Sequence, residues 1–521
     1  MVAAMIAGRP ADGASPGAMG HGMRIEIRLA NGRASAMHVK LARRLRDERH
    51  SVRMAASAVA APPIPGLGAL MLFEDTVYGK LSQDLFARQD VGGPGFDGAA
   101  DLTIDLDAGG ASGPTPLLTV RYDGGAGEVA ALAALLDNRT PEIAIVACAT
   151  DGLESRVAHG LPALPFPFRI KDSLNRLRAR QIDLIVKAVR LWPATGTRTQ
   201  TALSRPFAAS KPLLFGASVI AHKVASRLQR LASGGARSKW RVAWRAIKDD
   251  AVRQTFAWPG AAYNVLPDDG GRFFADPFIY VHRGASWLFV EEFPYATNTG
   301  IISVCEISRD GVAGPPKPVL EIGSHLSYPF IFERDGVIYM MPESAGARRV
   351  DLYRAERFPD VWVHDRTLID NIAVADATMI ERNGRLWLLA SPADDGQSDW
   401  DTLSVFHAGS LNEKWTALND NPVMFDASQA RSAGYIFERG GQLYRPVQDC
   451  TRGYGSALAL CRIDRLEEDG YVQSPAVRLA PPDGGGVIGL HSLNEAAGIE
   501  VIDFFGPAMA KLVPLNQKAQ S

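Results

Sequence analysis

The C-terminal half of the chain alternates apolar and polar positions in short runs separated by glycine-bearing turns. Such alternation predicts β-strands with one buried face, and turn residues that tolerate positive φ close two strands into a hairpin. The same strand, turn and strand recur four times, and a weaker fifth copy begins at Leu490. The four copies are ADPFIYVHRGASWLFVEE from Ala275, SYPFIFERDGVIYMMPES from Ser327, ADATMIERNGRLWLLASP from Ala375 and SAGYIFERGGQLYRPVQD from Ser432.

Equivalent positions of the five copies recur every 48 to 58 residues, which indicates a structural repeat. A third strand follows each of the first four hairpins, as GIISVCEI, RRVDLYRA, DTLSVFHA and SALALCRI. Five such units arranged radially predict a five-bladed β-propeller over residues 265 to 510. A β-sandwich is the alternative, but it does not explain four turns at matching offsets. The equivalent positions are Asp276, Tyr328, Asp376, Ala433 and His491.

An antiparallel hairpin returns its second strand to the level where its first strand began. The opening of each first strand and the close of each second strand therefore face the same mouth of the ring. The repeated apolar middles build the blades, and the variable polar ends build a site. We expect the mouth to collect Asp276, Tyr328, Asp376, Ser432 and His491 with Glu291, Glu292, Glu343, Ser344, Gln448 and Asp449.

The N-terminal half is predicted to be an α/β domain. MRIEIRLANG from Met23 predicts a strand and turn, ASAMHVKLARRLRDERH an amphipathic helix, and SVRMAAS a second strand. Further strands are predicted at DLTIDLD, PLLTVRYDG and EIAIVACA, so the expected fold is an open sheet of Rossmann type. The predicted organisation is a disordered lead at 1–22, the α/β domain at 23–200, a basic helical linker at 201–262 and the propeller at 263–521.

Composition narrows the class of protein. The length of 521 residues, with 46% hydrophobic and 22% charged residues, indicates a globular chain of more than one domain. The formal net charge of -1 gives no general attraction to nucleic acid. The four cysteines lack metal-ligand spacing and are too few for a disulfide framework, which indicates buried thiols in a reducing, cytoplasmic compartment. The sequence contains no apolar run of about 18 residues, so no membrane-spanning helix is predicted.

Charge is unevenly distributed along the chain. Between Leu184 and Lys248 there are 13 lysines or arginines and no aspartate or glutamate. The segment from Lys211 to Leu231 has apolar residues at helical spacing and basic residues on another face. Such a helix can bring residues 211–248 into peripheral contact with the anionic inner membrane face, or it can be a linker helix packed against an acidic domain. Both interpretations stay open.

Short motifs in the predicted propeller resemble a known family. The motifs are FFADPFIY, LFVEE, HLSYPFIFE, IYMMPES, VDLYRAERFP, RSAGYIFE, YRPVQDC and the YG at Tyr454 and Gly455. Over about 250 residues they are similar to the N-terminal propeller domain of plant glucosamine inositolphosphorylceramide transferase and its bacterial relatives. The resemblance implies work on glycans or glycolipids in polysaccharide or glycoconjugate biosynthesis. It implies less about catalysis, because the separate glycosyltransferase domain of the plant protein is not found here.

Many bacterial relatives join this propeller to a formyltransferase-like region, which the resemblance implies for residues 23–200. The paired Asn and His of the formyltransferase motif, followed by SLLP, are absent. No GxGxxG follows the first strand, where a dinucleotide would need close backbone approach. We therefore expect a catalytically degenerate domain that serves as a scaffold or a donor-binding remnant.

The predicted propeller also resembles the five-bladed glycoside hydrolases that cleave arabinans and xylans. That resemblance implies a base Asp in the first blade, a second Asp in the third and a Glu acid in the fourth. Asp276 and Asp376 match the first two, but no Glu stands at 431–433, so simple hydrolysis is not supported. As catalytic candidates they would lie at the ~6 to 9 Å separation of an inverting pair. Glu343 is the candidate for the missing acid, since one carboxyl must move a proton.

Other polar residues have two interpretations. Asp276 can instead cap turn amides, as Asp often does. Trp287 and Trp387 share a hairpin position with Tyr339 and Tyr444 and are expected in the blade core. The candidate substrate-binding residues, whose side chains suit sugar hydroxyls, carboxylates or a phosphate, are Glu292, His325, Tyr328, Arg431, Arg445, Gln448, Asp449 and His491.

The sequence therefore predicts a cytoplasmic carbohydrate-active protein of polysaccharide or glycolipid biosynthesis. We expect a glycosyltransferase-type or glycosyl-processing enzyme with its site at the propeller mouth. A non-catalytic glycan-binding or scaffold module and a glycoside hydrolase-like enzyme are the alternatives. The expected partner is a saccharide or glycolipid, without nucleic acid, and no metal or cofactor is expected apart from a nucleotide-sugar donor.

Overall fold

The computed structural model describes residues 22–29, 32–57, 66–90, 95–106, 115–148, 154–192, 197–199, 238–393, 398–482 and 486–506. They form an N-terminal α/β domain and a C-terminal ring of β-sheets. The predicted lead, except residue 22, and the predicted basic helix from Lys211 to Leu231 lie outside these ranges. None of the described helices is long and apolar enough to cross a membrane.

The N-terminal domain follows the periodicities of its sequence. Ile25 and Ile27 alternate with more exposed residues along the first strand, and Leu41 and Leu45 are buried one turn apart on the first helix. The elements are β1 (Arg24–Leu29), β2 (Ala34–Ser35), α1 (Ala36–Asp47), β3 (Ser51–Ala56), α2 (Leu67–Tyr78), β4 (Arg88–Gln89), β5 (Leu102–Asp105), β6 (Leu117–Tyr122), β7 (Gly125–Ala126), α3 (Gly127–Leu136), β8 (Ile143–Cys148), β9 (Glu154–Gly160), α4 (Ile170–Arg190) and β10 (Thr197–Thr199).

The main N-terminal sheet is mixed. Its order is β3-β1-β5-β6-β8-β9-β10. Along this order the pairs β3–β1, β1–β5 and β5–β6 are parallel, whereas the pairs β6–β8, β8–β9 and β9–β10 are antiparallel. Only five residues separate β8 from β9, which permits a hairpin but no parallel crossover, since a crossover needs about a dozen residues. The sheet is therefore open and flanked by helices, but it is not the parallel Rossmann-type sheet expected from the sequence.

The C-terminal ring is a five-bladed β-propeller, as predicted, and each blade is an antiparallel sheet of at least four strands. Two strands, β11 (Lys239–Ala246) and β12 (Asn264–Val265), precede the repeats. Blade 1 contains β13 (Arg272–His282), β14 (Ala285–Pro294), β15 (Ile301–Ile307) and β16 (Lys317–Leu320); blade 2 contains β17 (Ser327–Arg334), β18 (Val337–Glu343), β19 (Arg349–Arg357) and β20 (Val361–Asp370); blade 3 contains β21 (Val374–Arg382), β22 (Arg385–Pro392), β23 (Thr402–Ala408), β24 (Thr416–Ala417) and β25 (Met424–Phe425); blade 4 contains β26 (Phe437–Arg439), β27 (Gln442–Asp449), β28 (Ala457–Glu467) and β29 (Gly470–Leu479); and blade 5 contains β30 (Leu493–Ala496) and β31 (Ile499–Gly506) with β11 and β12.

The five repeated hairpins share one turn geometry. Each turns through two residues with positive φ, which is the conformation that a type I′ turn needs. This common turn confirms the hairpin repeat inferred from the sequence. The residue pairs are Arg283 and Gly284, Asp335 and Gly336, Asn383 and Gly384, Gly440 and Gly441, and Ala497 and Gly498.

The ring closes through a strand that lies in the predicted linker 201–262. β11 pairs antiparallel with β31 over eight residues, from Lys239 opposite Gly506 to Ala246 opposite Ile499. The propeller therefore begins before residue 263, and the predicted boundary was wrong. The physical reason is closure: the last hairpin alone would leave an edge of unpaired N–H and C=O groups, which the earlier strand covers.

A buried ion pair stabilises this closure. Arg245 Nε donates to Glu500 Oε1 at 2.8 Å, and Glu500 Oε2 accepts the Val252 N–H at 2.8 Å. We expect Arg245→Met to lower the free energy of unfolding by ~3 kcal/mol, because Glu500 is then left as an unpaired buried carboxylate. Urea unfolding measures this change. Arg462→Met, which removes an ion pair at the surface, is the control and should have little effect; equal effects would contradict a special role for the buried pair.

The two domains share an apolar contact. Phe425 of β25 packs into the N-terminal core, although it belongs to blade 3. Beside it, Leu161 forms a parallel bridge with Asp426, and the Leu161 N–H donates to the Phe425 carbonyl at 2.9 Å. Blade 3 is therefore the part of the propeller against which the N-terminal domain packs.

Candidate functional site

Three inner strands carry the same irregularity at the mouth. The register of β13, β17 and β21 shifts at equivalent places, and Asp276, Tyr328 and Asp376 there have φ values of 48°, 45° and 50°. Holding a non-glycine residue in this left-handed region costs on the order of 1–3 kcal/mol. Bulges of this kind redirect a side chain and are common beside functional sites. The repeated position of the sequence is thus a repeated, strained backbone position.

Tyr328 joins neighbouring blades. Its N–H donates to Asp276 Oδ2 at 3.2 Å, and its hydroxyl lies 2.9 Å from Thr378 Oγ1 and accepts the Gly434 N–H at 2.8 Å. The residue is 1% exposed. Because these contacts between blades occupy its hydroxyl, Tyr328 links neighbouring blades beside the site, and its role in substrate binding stays a prediction.

Asp276 is buried beside a histidine. Its Oδ1 accepts a hydrogen bond from Ser492 Oγ at 3.1 Å and lies 3.4 Å from His491 Nδ1. Burial raises the pKa of Asp276 to about 6; His491 opposes this change, and nearby carboxylates add to it. The carboxyl group therefore changes its protonation state close to neutral pH.

His491 lies between two carboxylates. Its Nδ1 is 2.6 Å from Asp503 Oδ2, and its ring stacks on Trp240 with centroids 3.7 Å apart. Burial lowers the pKa of His491, but Asp503 and Asp276 outweigh burial and raise it above the usual value. The ligand atoms of these three residues lie within 4.8 Å of one another, close enough to bind a metal ion. However, Asp503 already accepts the N–H groups of Asp276, His491 and Ser492, so the protein itself satisfies this carboxylate.

Asp376 belongs to a second cluster, around Arg431. Its Oδ2 accepts Arg431 Nε at 2.6 Å and Gln448 Nε2 at 2.8 Å. Arg431 Nη1 donates to Asp399 Oδ2 at 2.7 Å, and its guanidinium carbon lies 5.0 Å from the centre of the Tyr454 ring. Arg431 lies in the segment 431–433, where the hydrolase resemblance implies a glutamate and the sequence has none. The mouth therefore has a buried cation beside Asp376.

Two further carboxyl groups border these clusters. Glu343 Oε2 accepts the Asp376 N–H at 3.2 Å and lies 3.7 Å from Arg431 Nη2. Burial and the Asp376 carboxylate raise the pKa of Glu343 well above its usual value, although Arg431 opposes them. Burial and nearby carboxylates likewise raise the pKa of Glu291, whose Oε1 lies 3.5 Å from the half-exposed His325. Both carboxyl groups therefore hold a proton more tightly than an exposed glutamate does.

Strand alternation keeps Glu292 out of the mouth. Successive side chains of a strand point to opposite faces, so Glu292 points away from the face that Glu291 occupies. It accepts a hydrogen bond from Ser303 Oγ at 2.6 Å and pairs with Arg272. The prediction placed both glutamates in the mouth and was wrong for Glu292.

The same alternation applies to Arg445 and Asp449, which are an odd number of residues from Gln448. Arg445 is fully buried and donates to Ser432 Oγ at 3.1 Å and to backbone carbonyls of the same loop. Asp449 pairs with Arg478 and accepts a backbone N–H of its own turn. Both residues stabilise blade 4, and their predicted place in the mouth was wrong.

Four residues of the site were not among the candidates. Trp240 lies on the closing strand, and Asp399 lies in the irregular turn before β23, where no pattern marks it. Tyr454 stands in the YG motif, which was a signal for it. Asp503 is an acid inside the apolar run VIDFF, and such a break in the pattern could have indicated it.

The sequence of the propeller also has known relatives. Residues 254–480 match a protein-family model described as "Glucosamine inositolphosphorylceramide transferase 1, N-terminal". The propeller is similar to that region. The protein of this name from Oryza sativa subsp. japonica is 34% identical over 230 residues, which cover 42% of this chain and 31% of the rice protein. The Arabidopsis thaliana protein is 32% identical over 203 residues, which cover 38% of this chain and 26% of that protein. The chain thus spans about a third of the length of the rice transferase.

Solved structures include proteins of low similarity to this chain. A GH43_1 enzyme from Xanthomonas citri has 13% sequence identity and a TM-score of 0.35, covering 52% of this chain and 97% of that enzyme. A glycosyl hydrolase from Bacteroides ovatus has 12% identity and a TM-score of 0.34, covering 48% of this chain and 93% of that enzyme.

Proposed function

We propose that this chain is a carbohydrate-active enzyme of glycolipid or polysaccharide biosynthesis, of glycosyltransferase type, with its site at the propeller mouth. The observation that carries the proposal is the group of carboxyls there. Asp276 has a pKa of about 6, the pKa of Glu343 is well above its usual value, and Asp376 is paired with Arg431. Neighbouring carboxyls with different protonation preferences suit acid–base chemistry at a glycosidic oxygen. The similarity to a glycolipid-related transferase supports this class of substrate.

Each group has a role in this proposal. Glu343 retains a proton and gives it to the leaving oxygen, while Asp276 accepts the proton of the attacking hydroxyl group. Asp376 faces the positive charge that develops on the sugar ring in the transition state. Arg431 and Gln448 hold Asp376 in position through its Oδ2. A nucleotide sugar is the proposed donor, and a saccharide or glycolipid the acceptor.

The proposal is tested with the purified full-length chain and a panel of nucleotide sugars, with glycolipid and oligosaccharide acceptors. We expect a glycosylated product that mass spectrometry detects. Asp351→Asn is the matched control for Asp→Asn changes in the mouth. Asp351 is a fully buried carboxyl of blade 2 that accepts a hydrogen bond from Thr367 Oγ1 at 2.6 Å, and it belongs to neither mouth cluster. Its product yield should equal that of the wild type. If neither transfer nor hydrolysis is observed with any member of the panel, the enzyme proposal is contradicted.

A second candidate function is a non-catalytic module that holds a saccharide for a partner transferase. The missing glutamate at 431–433 favours it, because this segment of blade 4 instead carries a cation, Arg431, which is paired with Asp376 and Asp399. Calorimetric titration with the same saccharides separates the two candidates. Binding without turnover favours the module, and turnover by the chain alone excludes it.

We propose that the protein is located in the cytoplasm, at the inner membrane face. The N-terminal domain is proposed to be a formyltransferase-like scaffold without activity of its own. The segment from Lys211 to Leu231 would make the peripheral membrane contact predicted for 211–248, since residues 239–246 form the closing strand β11; such a contact suits a lipid-linked acceptor.

Co-sedimentation with lipid vesicles tests the membrane contact. Each basic residue that reaches an anionic surface contributes up to ~1 kcal/mol, and exposed charges are screened over about 8 Å at physiological salt. We therefore expect pelleting with anionic vesicles at low salt, less pelleting at high salt, and none with neutral vesicles. A variant with Lys223, Arg227 and Arg230 changed to Glu should lose the binding. Equal pelleting of variant and wild type would show that the segment is only a linker.

A further inference from the structure

The turn before β23 connects the mouth to the N-terminal domain. At one side of this turn, Asp399 Oδ2 accepts Arg431 Nη1 at 2.7 Å, and the Trp400 ring lies 5.3 Å from the Tyr454 ring. Tyr454 also receives a hydrogen bond from Arg431 Nη2 at 3.4 Å. The turn therefore contacts the Arg431 cation both directly and through an aromatic neighbour.

The other side of the same turn is held by α4. Arg180, which is 3% exposed, donates through Nη2 to Asp401 Oδ1, to Thr402 Oγ1 at 2.8 Å and to the Ser398 carbonyl at 3.4 Å. Asp401 Oδ2 accepts the Ala163 N–H at 2.8 Å. A single guanidinium of the N-terminal domain thus bonds to both flanks of the residue that contacts Arg431.

The loop that carries Arg431 is anchored to the same domain. The Ala427 N–H donates to the Leu161 carbonyl at 2.8 Å, and the Asp426 N–H donates to the Asp401 carbonyl at 2.6 Å. The segments that present Asp399 and Arg431 are therefore joined to each other and to residues 161–163 and 180. Their relative position depends on the contact between the domains.

We propose that the N-terminal domain positions the mouth cation, and that Arg180 is the positioning residue, acting on Arg431 through the turn 398–402. The geometry gives the reason: Nη2 of Arg180 contacts the three acceptors that frame Asp399, while Nη1 donates to Asp183 Oδ2 at 2.9 Å, so the planar guanidinium is fixed in orientation as well as in distance. A domain without catalytic motifs thereby contributes to the geometry of the site. The consequence for turnover rests on the function proposed above, whereas the structural coupling does not.

Amide hydrogen exchange measured by mass spectrometry tests the coupling in the full-length chain without any assay of activity. In Arg180→Met, we expect peptides covering 398–402 and 428–433 to exchange about tenfold faster or more, the ratio that follows from losing one charge-assisted hydrogen bond. The hairpin from Ser327 to Glu343 should be unchanged. Unaltered exchange at 428–433 would overturn the proposal.

The matched control is Lys187→Met on the same helix. Lys187 donates to the carbonyls of Asp420, Pro422 and Val423 but to no atom of the turn 398–402. Its loss should accelerate exchange at 420–425 and leave 428–433 protected. Equal acceleration of 428–433 by both variants would show general loosening of the interface and would also overturn the proposal.

A second variant covers the case in which Arg180→Met fails to fold. Asp399→Ala removes the carboxyl group that contacts Arg431 and leaves the domain interface intact, so it should accelerate exchange at 428–433 alone. Adding Arg180→Lys to it should then change 428–433 little further, because the coupling is already interrupted; additive effects would contradict the relay. If the wild type shows turnover, Arg180→Lys should lower kcat more than it changes KM. Absence of turnover in the wild type would refute the proposed function while leaving the exchange result valid.

Discussion

Changing Asp276 or Asp376 to Asn should lower turnover by about 10²- to 10⁴-fold, the contribution typical of a group that moves or stabilises charge in the transition state. The amide has nearly the same shape, and its oxygen can still accept the bonds that Tyr328 and Ser492 donate to Asp276. The thermal midpoint of Asp276→Asn should therefore stay close to that of the wild type, whereas Asp376→Asn removes the charge paired with the buried Arg431 and should lower the midpoint. Steady-state kinetics and a melting curve on each variant measure the two effects, and full activity in both would exclude the mouth as the catalytic site.

The pH profile gives an independent measurement on Asp276. Burial raises the pKa of this carboxyl to about 6, and a general base must be unprotonated, so wild-type turnover should fall as pH drops below about 6. Stability should change in the opposite sense. Between about pH 4 and 6 the folded state binds this proton more tightly than the unfolded chain does, so the contribution of Asp276 to stability is lost as pH rises through this range. In Asp276→Asn this part of the stability profile should become flatter.

Arg431→Met should be among the most destabilising single changes at the mouth. It leaves the carboxyl groups of Asp376, Asp399 and Glu343 crowded together without their cation, and breaking a buried pair in this way costs ~3–5 kcal/mol. Denaturant unfolding measures the loss. Turnover should disappear as well, because Asp376 loses the group that orients it.

A double variant separates the two causes. Adding Asp376→Asn to Arg431→Met removes one of the unpaired carboxylates, so part of the stability should return while turnover stays absent. Arg357→Met, which breaks an ion pair at the surface, is the control for removing an arginine and should change neither quantity. If Arg431→Met were as stable as this control, the cation would have no structural role in the mouth.

The blades could be predicted from the sequence because their signals are local. Each hairpin is recognisable within about twenty residues from its apolar–polar alternation and its turn. In the turn of Asn383 and Gly384, for example, the left-handed conformation favours those residue types. The equivalent position that carries Asp276 and Asp376 was visible for the same reason. No knowledge of the rest of the fold is required to identify it.

The remaining parts of the site depend on contacts that are distant in sequence. β11 pairs with a strand that begins more than 250 residues later, so nothing near Trp240 indicates that it stacks on His491. Alternation along β14 implies that Glu291 and Glu292 point to opposite faces, but which face meets the mouth is set by the packing of the blades around the ring. Asp399 owes its place to a turn that another domain holds, and a single sequence carries no local pattern for such a contact.

The closure of the ring by β11 has a consequence for biosynthesis. Among the propeller strands, the ribosome releases β11 first and β31 last, and blades 1 to 4 emerge between them. Those blades can form one after another as their hairpins appear, but β11 waits throughout with an unsatisfied edge, and such edges recruit other chains. The nascent polypeptide is therefore most prone to aggregation before its final hairpin is translated. A chain that stopped before Ile499 would lack β31 and would keep the unpaired edge of β11.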